Sequence, residues 1–270
     1  MINAVDFTFD GMASEKFDLR IVNFDSGKVS KSTGISYSIE EESVRGKSTP
    51  YFFGVGNPDK ITFQLTFARE NELDRYDKNA ITQWLFQKTY KPLRFIQNDL
   101  MGINFNCIMT NPNQVILNGY AYAISVDVIC DSAFGFTEEM SYFQTLIYGA
   151  NALMVHNPSL VNEYVYPKLV ISIAGGNQKS KITIKNPLDS NTRILTLDQI
   201  DTDQNLTIDN NFGIIKTTGN ASLMNITSKQ WLRLLPGSNL LQINLTNAVS
   251  GSTLDNSVTV QLIAKYPIII

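Results

Sequence analysis

The chain has 270 residues, of which 43% are hydrophobic and 17% are charged, and its formal net charge is −3. The apolar content is ample for a packed core, and the low charge argues against disorder. No run of Lys and Arg is long enough to form a basic patch, so we expect no specific nucleic-acid binding. The N-terminus lacks the pattern of a signal peptide and no apolar run reaches ~18 residues, so we expect no membrane insertion.

Alternating apolar residues predict strands in the first part of the chain. ISYSI at residues 35–39 and ITFQLTF at residues 61–67 both show this alternation. The segment between them is rich in Gly and Pro and is predicted to be a long loop, a kind of segment that is usually functional or disordered. It carries three consecutive aromatic residues, Tyr51, Phe52 and Phe53. Because exposed aromatic runs often mark interfaces, these residues are the predicted oligomer interface.

One helix is predicted over about residues 72–88. Asp74 suits its acidic first turn, and Pro92 follows its end. Between these positions the apolar residues recur at helical spacing, and they are Leu73, Tyr76, Ala80, Ile81, Trp84 and Leu85. Trp84 is interpreted as a core residue. One helix among several strands predicts an α+β or β-rich domain.

A long alternating strand is predicted within GYAYAISVDVICDSAFGF, residues 119–136. The two cysteines, Cys107 and Cys130, both lie in apolar, strand-like sequence. Each is predicted to be a buried free thiol. A disulfide between them would require neighbouring strands, which the sequence alone does not show.

The composition changes around residues 140–165, and the predicted domain boundary is at about residue 150. This gives an N-terminal domain of residues 1–150 and a C-terminal domain of residues 151–270. The second half contains about eight short strands separated by turns rich in Gly, Asn and Asp, a pattern typical of a β-sandwich or a jelly roll.

The sequence offers little for catalysis or metal binding. His156 is the only histidine and lies in the predicted linker, without a G-x-S-x-G motif. A DTDQN segment beginning at Asp201 starts like a calcium loop, but Leu206 replaces its turn glycine and Phe212 its glutamate. We interpret it as a polar turn. We therefore predict no enzyme, no catalytic residue, no cofactor and no metal.

Trp231 is the candidate ligand or partner contact of the second half. It lies in WLRLL, where alternation would place Leu232 and Leu234 in the core and Trp231 outside. An outward indole could stack on a sugar ring. The alternative is a Trp that is partly covered by a neighbouring strand or subunit.

The order of these motifs resembles the distal tail proteins (Dit) of bacteriophages with long non-contractile tails. In the first half the resemblance rests on ISYSI, ITFQLTF, the helix, YKPLRF and the closing strand of residues 119–136. The usual proline at the end of that strand is missing, and Ser132-Ala133-Phe134 stands in its place. In the second half it rests on NPSLVNEYVYPKLVISIAG and on LTIDNNFGIIKTTGN followed by WLRLLPGSNLLQI.

The resemblance implies a mainly β protein, with a β-barrel-like N-terminal domain that carries one helix and a galectin-like C-terminal β-sandwich. It implies a structural protein of the virion tail tip or baseplate, assembled in the host bacterial cytoplasm. Six copies would form a hub ring with a channel for DNA. The implied partners are the tail tube protein, the tail tip or tail-associated protein and a receptor-binding protein. The alternative function is a β-sandwich module that binds cell-wall carbohydrate during host adhesion.

Overall fold

The computed structural model describes residues 4–22, 36–176, 178–190, 193–218, 228–248 and 255–269. In these residues the chain is mainly β-structure with one α-helix, which confirms the predicted fold class. It divides into two compact units, one of Met1–Thr137 with Ile268–Ile270 and one of Glu138–Pro267. None of the described helices is long and apolar enough to cross a membrane.

The first unit contains one helix, α1 (Arg75–Leu85), and a nine-stranded sheet beside a separate hairpin. Its strands are β1 (Phe7–Phe9), β2 (Met12–Ala13), β3 (Arg20–Val22), β4 (Tyr37–Glu42), β5 (Tyr51–Pro58), β6 (Thr62–Ala68), β7 (Lys91–Phe95), β8 (Ile103–Leu117), β9 (Tyr120–Cys130) and β10 (Gly135–Thr137). The predicted strand ISYSI corresponds to the start of β4, and its first residue, Ile35, lies outside the described residues.

The large sheet of the first unit closes on itself. Its strand order is β2-β1-β7-β8-β9-β6-β3, with β10 beside β8 and β20 (Pro267–Ile268) beside β10. The backbone N–H of Ile21 in β3 donates to the carbonyl of Val5, just before β1, at 2.7 Å. Because this bond joins the last strand of the order to the segment leading into β1, the sheet has the expected barrel-like form.

Helix α1 packs against the apolar core of this unit. Asp74 caps it in a reciprocal capping box with Asp77. The indole N–H of Trp84 donates to the carbonyl of Phe9 at 2.9 Å, and its ring stacks on Phe7 and Phe17. Trp84 is only 7% exposed, which confirms its predicted place in the core.

The second unit is a β-sandwich. Its strands are β11 (Met140–Leu146), β12 (Gly149–Asn157), β13 (Lys168–Ala174), β14 (Ser180–Lys185), β15 (Ile194–Ile200), β16 (Gln204–Asp209), β17 (Ile214–Thr217), β18 (Gly237–Asn247) and β19 (Ser257–Ala264). One sheet has the order β11-β19-β13-β16-β17 and the other β12-β18-β14-β15. Residues from both sheets form a single apolar cluster, with Ile171 and Val260 from the first and Ile182 and Leu241 from the second.

The predicted boundary at about residue 150 falls inside this second unit. The two units divide between Thr137 and Glu138. The reason is strand pairing, since β11 pairs with β19 and β12 pairs with β18, all within the sandwich. The composition change that suggested a linker is therefore the connection between strands of its two sheets. His156 accordingly lies in β12 and not in a linker.

Candidate functional site

The segment predicted as a long loop is an exposed β-hairpin. Strands β4 and β5 pair with each other as a separate two-stranded sheet. Tyr51, Phe52 and Phe53 open β5, with exposed fractions of 49%, 65% and 66%. Gly and Pro in the sequence suggested irregular structure, but Gly54 and Gly56 lie within the strand itself. The aromatic run thus lies on a strand of a two-stranded sheet.

The two faces of the hairpin differ in chemistry. Ile39 lies directly opposite Val55, and Glu41 lies opposite Phe52. Ile39 and Glu41 are alternate residues of β4 and share a face, so their partners Val55 and Phe52 lie on that face too. This face therefore carries three apolar side chains and the Glu41 carboxylate. The opposite face carries Ser38 and Glu40, and a Cβ atom added to Gly56 would clash with Ser38 Oγ. We call the first the apolar face and the second the glycine face.

The aromatic residues of the predicted interface play different parts. Tyr51 lies opposite Glu42, on the glycine face, and the Lys47 ammonium sits 4.0 Å from the centre of its ring. Phe53 is the extra residue at a register shift between Glu40 and Glu41, a β-bulge that strengthens the local twist. Tyr51 is therefore held within the hairpin, whereas Phe52 extends the apolar face.

The apolar face of the hairpin is left uncovered by the described residues. Ile39 is 64% exposed and Val55 is 55% exposed, and all residues of β4 are exposed. An isolated two-stranded hairpin is only marginally stable in water. A contiguous exposed apolar surface of this kind typically marks a site of protein interaction. The hairpin is thus the candidate functional site of the first unit.

Trp231 is half-covered. Its indole packs against the core of the sandwich and lies over Gly213, where an added Cβ atom would be 3.1 Å from two ring carbons. Leu232 and Leu234 are buried as expected, but Arg233 is buried as well. Strand alternation fails here because WLRLL is not a strand, and Leu234 makes only an isolated bridge to Val165. The turn before β17 thus covers part of the indole, and the role of Trp231 as a ligand or partner contact stays a prediction.

Arg233 forms an ion pair that sequence reasoning missed. Its Nε and Nη2 atoms donate to the two carboxylate oxygens of Asp189, each at 2.7 Å. The guanidinium also lies 3.6 Å from the ring centre of Tyr164. The hydrogen bond with Asp189 raises the pKa of Arg233 further above its already high usual value. Arg233 and Asp189 are 44 residues apart and no sequence motif links them, so this ion pair could not be predicted from the sequence.

The residues considered for catalysis and metal binding are spread over the sandwich. The Nδ1 atom of His156 lies 3.4 Å from Ser238 Oγ, its exposed neighbour on β18. Asp203 accepts a hydrogen bond from the backbone of Gly175, and Asp201 pairs with Lys179 at 3.3 Å. These contacts fit a polar turn. In the described part of the chain no three His, Cys, Asp or Glu side chains are placed to hold a metal.

Comparison with known protein families gives two adjoining matches. A model for the N-terminal domain of phage tail proteins matches residues 2–132, and one for the phage tail C-terminal domain matches residues 134–252. The two matches meet close to the division between the structural units. No protein with curated annotation matches the chain significantly.

Comparison with solved structures identifies a shared fold. The Dit protein (gp 19.1) of phage SPP1, described as a paradigm of the hub adsorption apparatus of phages infecting Gram-positive bacteria, matches with a TM-score of 0.65. The identity is 11%, over 97% of this chain and 98% of that chain. A chain of the phage P2 baseplate in its activated conformation with Ca matches with a TM-score of 0.49 at 9% identity, over 97% of both chains. The predicted resemblance to distal tail proteins is thus confirmed at the level of the fold.

Proposed function

The chain belongs to the phage tail protein family, and from this premise we propose that six copies form the hub ring of a tail tip or baseplate. The ring joins the tail tube to the tip and leaves a channel for DNA. A mildly acidic protein, with a net charge of −3, suits a channel that must not hold DNA. The proposed role is structural and does not require catalysis.

The exposed hairpin of the first unit is the observation that carries this proposal. A closed ring needs a heterologous contact, in which one surface of a copy meets a different surface of the next. The apolar face of the hairpin, with Ile39, Phe52 and Val55, supplies one such surface. Covering it with a second copy removes apolar side chains from water and orders a marginal hairpin.

The hairpin also carries charges suited to a directional contact. Glu40, Glu41 and Glu42 are consecutive in β4, whereas Arg45 and Lys47 lie in the turn that follows, and all are exposed. The hairpin thus has an acidic strand and a basic turn at different places along its length. Charge separation of this kind favours one orientation of a neighbour and disfavours the reverse.

The outer surface of the C-terminal sandwich is the proposed anchor for a receptor-binding protein. Met154 and Leu240 lie directly opposite each other on β12 and β18, with exposed fractions of 55% and 46%. Two exposed apolar side chains side by side on the outward face of this sheet provide a small contact surface. The tail tube protein and the tail tip protein are the proposed partners of the ring itself. The protein would then act in the virion tail tip after assembly in the host cytoplasm.

The mass of the purified chain in solution tests the ring directly. Light scattering after size exclusion is expected to give about six times the chain mass of 30.2 kDa, or twice that for stacked rings. Negative-stain images of the same peak should show six-fold rings. A monomer that stays monomeric when mixed with the tail tube and tail tip proteins would contradict the proposal.

A paired variant tests the hairpin as the ring contact. Phe52→Asp combined with Phe53→Asp should abolish rings while leaving the monomer folded, because the apolar face loses Phe52 and the two added carboxylates would have to lose their water against a neighbour. Phe212→Asp is the control, since Phe212 is an equally exposed aromatic in the second unit, at 73%. Normal rings from the paired variant would remove the hairpin from the interface.

A further inference from the structure

The two cysteines of the chain are direct neighbours across the β8–β9 ladder. Cys107 and Cys130 are register partners in this antiparallel pair. The backbone N–H of Asp131 donates to the carbonyl of Asn106 at 2.9 Å, so the next pair along is a hydrogen-bonded one. Hydrogen-bonded and non-hydrogen-bonded pairs alternate in an antiparallel ladder, which places the cysteines in a non-hydrogen-bonded position.

A second backbone contact agrees with this placement. The N–H of Cys130 donates to the carbonyl of Ile61 at 2.9 Å, on the side of β9 that faces away from β8. In a non-hydrogen-bonded pair the Cα atoms are about 4.5 Å apart and both side chains lie on one face. Disulfides span Cα distances from about 4.4 Å upward, so the pair lies at the short end of the allowed range.

We propose that Cys107 and Cys130 form a reversible cross-strand disulfide when the protein meets a small disulfide oxidant such as oxidised glutathione. The Cys130 thiolate attacks one sulfur of the oxidant and releases one glutathione as a thiolate. The Cys107 thiolate then attacks Cys130 Sγ and releases the second. The two protein thiols lose two electrons in total, and the oxidant takes up those electrons and both protons as two glutathione thiols.

The surroundings make this reaction slow. Cys107 and Cys130 are 0% and 1% exposed. Burial raises the pKa of Cys130 to about 12 and that of Cys107 higher still, so both are neutral thiols at pH 7. Attack requires the thiolate, so oxidation accelerates as the pH rises. Cys130 is the last residue of β9, but Asp131 beyond it still bonds Asn106, so the oxidant reaches the thiol only when this end of the ladder opens transiently.

The bond would close the hairpin of β8 and β9, the two longest strands of the first unit that pair with each other. Its short Cα distance makes it more reducible than an unstrained disulfide. In the proposed function the chain assembles in a reducing cytoplasm and acts in an oxidising exterior. The bond would then form after release of the particle. Only this timing rests on the proposed function, because the chemistry concerns the isolated chain.

Thiol counting on the folded full-length chain tests the bond. After incubation with oxidised glutathione at pH 8.5, the number of free thiols per chain, counted in denaturant, should fall from two to none. The intact mass should drop by two hydrogens, a peptide map should join Cys107 to Cys130, and dithiothreitol should restore both thiols. The oxidised protein should also melt at a higher temperature than the reduced one.

The Cys107→Ser variant distinguishes the cross-strand bond from simple capping. Without the resolving thiol, the first step stops at a mixed disulfide, so this chain should retain one bound glutathione. Wild-type protein that keeps both thiols, or that accumulates bound glutathione instead of the internal bond, would overturn the proposal. Neither outcome depends on ring formation, so a failure here leaves the hub proposal untouched, and the reverse also holds.

Discussion

Arg233 and Asp189 form a bidentate ion pair inside the sandwich, and both donor–acceptor distances are 2.7 Å. Their side chains are only 6% and 2% exposed. Water therefore screens this pair little, and the loss of either group leaves a buried charge without the opposite charge beside it. The pair joins the turn that contains Asp189 to the segment after Trp231, and the ring of Tyr164 covers it from outside.

Removing one member of this pair should destabilise the protein strongly. In Arg233→Met, Asp189 keeps a buried carboxylate without its guanidinium partner, and the free energy of unfolding should fall by about 3–5 kcal/mol. Urea denaturation followed by circular dichroism measures this change. The double variant Asp189→Leu with Arg233→Met should recover most of the loss. A single variant as stable as wild type would show that the pair contributes little.

The first turn of helix α1 should lose stability in acid. Arg69 donates a hydrogen bond to the Asp77 carboxylate and lowers the pKa of that group below 3.8. Since the folded pKa is the lower one, this contribution is present above the unfolded value and is lost as the pH falls through the folded pKa. Asp77→Ala should cost about 0.5–1 kcal/mol at pH 7, and the difference from wild type should shrink below pH 3.8.

Unfolding curves of wild type and Asp77→Ala at several pH values between 2 and 7 test this prediction. Asp99→Ala provides a control, because Asp99 is also an exposed first-turn acid but lies in a short 3₁₀ helix. A cost of Asp77→Ala that is the same at pH 2 and pH 7 would contradict the assigned role of the carboxylate.

The contact between Gly213 and Trp231 predicts another measurable effect. Gly213 has a φ of +65°, and a Cβ atom there would lie 3.1 Å from ring carbons of Trp231. Gly213→Ala should therefore cost more than the usual ~1–2 kcal/mol of a left-handed residue, because the added Cβ also displaces the indole, and the Trp231 fluorescence should shift. Gly175→Ala is a matched control, since its φ is +70° and nothing lies within 4 Å of its Cβ position. Equal stability and unchanged emission in both variants would show that the indole is not held at Gly213.

Local signals in the sequence predicted most of the secondary structure. Helix α1 was predictable because its cap at Asp74 and its apolar spacing both lie within one short stretch. The hairpin was not predicted because Gly54 and Gly56 suggest a loop. In the structure both lie in β5, and the missing Cβ of Gly56 leaves room for the side chain of Ser38 on β4.

Contacts between residues that are far apart in the chain could not be predicted from the sequence. Pairing of Arg233 with Asp189, and of Cys107 with Cys130, depends on strand order and register. The pairing register of two strands decides which side chains face each other, and the amino-acid composition does not reveal that register. The pairing of β11 and β12 with later strands, which assigns both to the sandwich, depends on register in the same way.

The two faces of the hairpin should respond differently to charge. Ile39→Lys places an ammonium on the apolar face, opposite Val55 and two residues from Glu41, and should prevent ring assembly because it replaces an apolar contact with a charge that must lose its water. Ser38→Lys places the same side chain one residue away on the glycine face, close to Glu40, where it can remain in water. Rings should persist in this second variant.

Light scattering of the two lysine variants at equal concentration measures the difference, and circular dichroism checks that both are folded. Assembly of Ile39→Lys that matches wild type would show that the apolar face is not buried between copies. Loss of rings in both variants would show instead that the hairpin is enclosed on both sides. Because the variants differ by one position and carry the same charge, net charge cannot explain a difference between them.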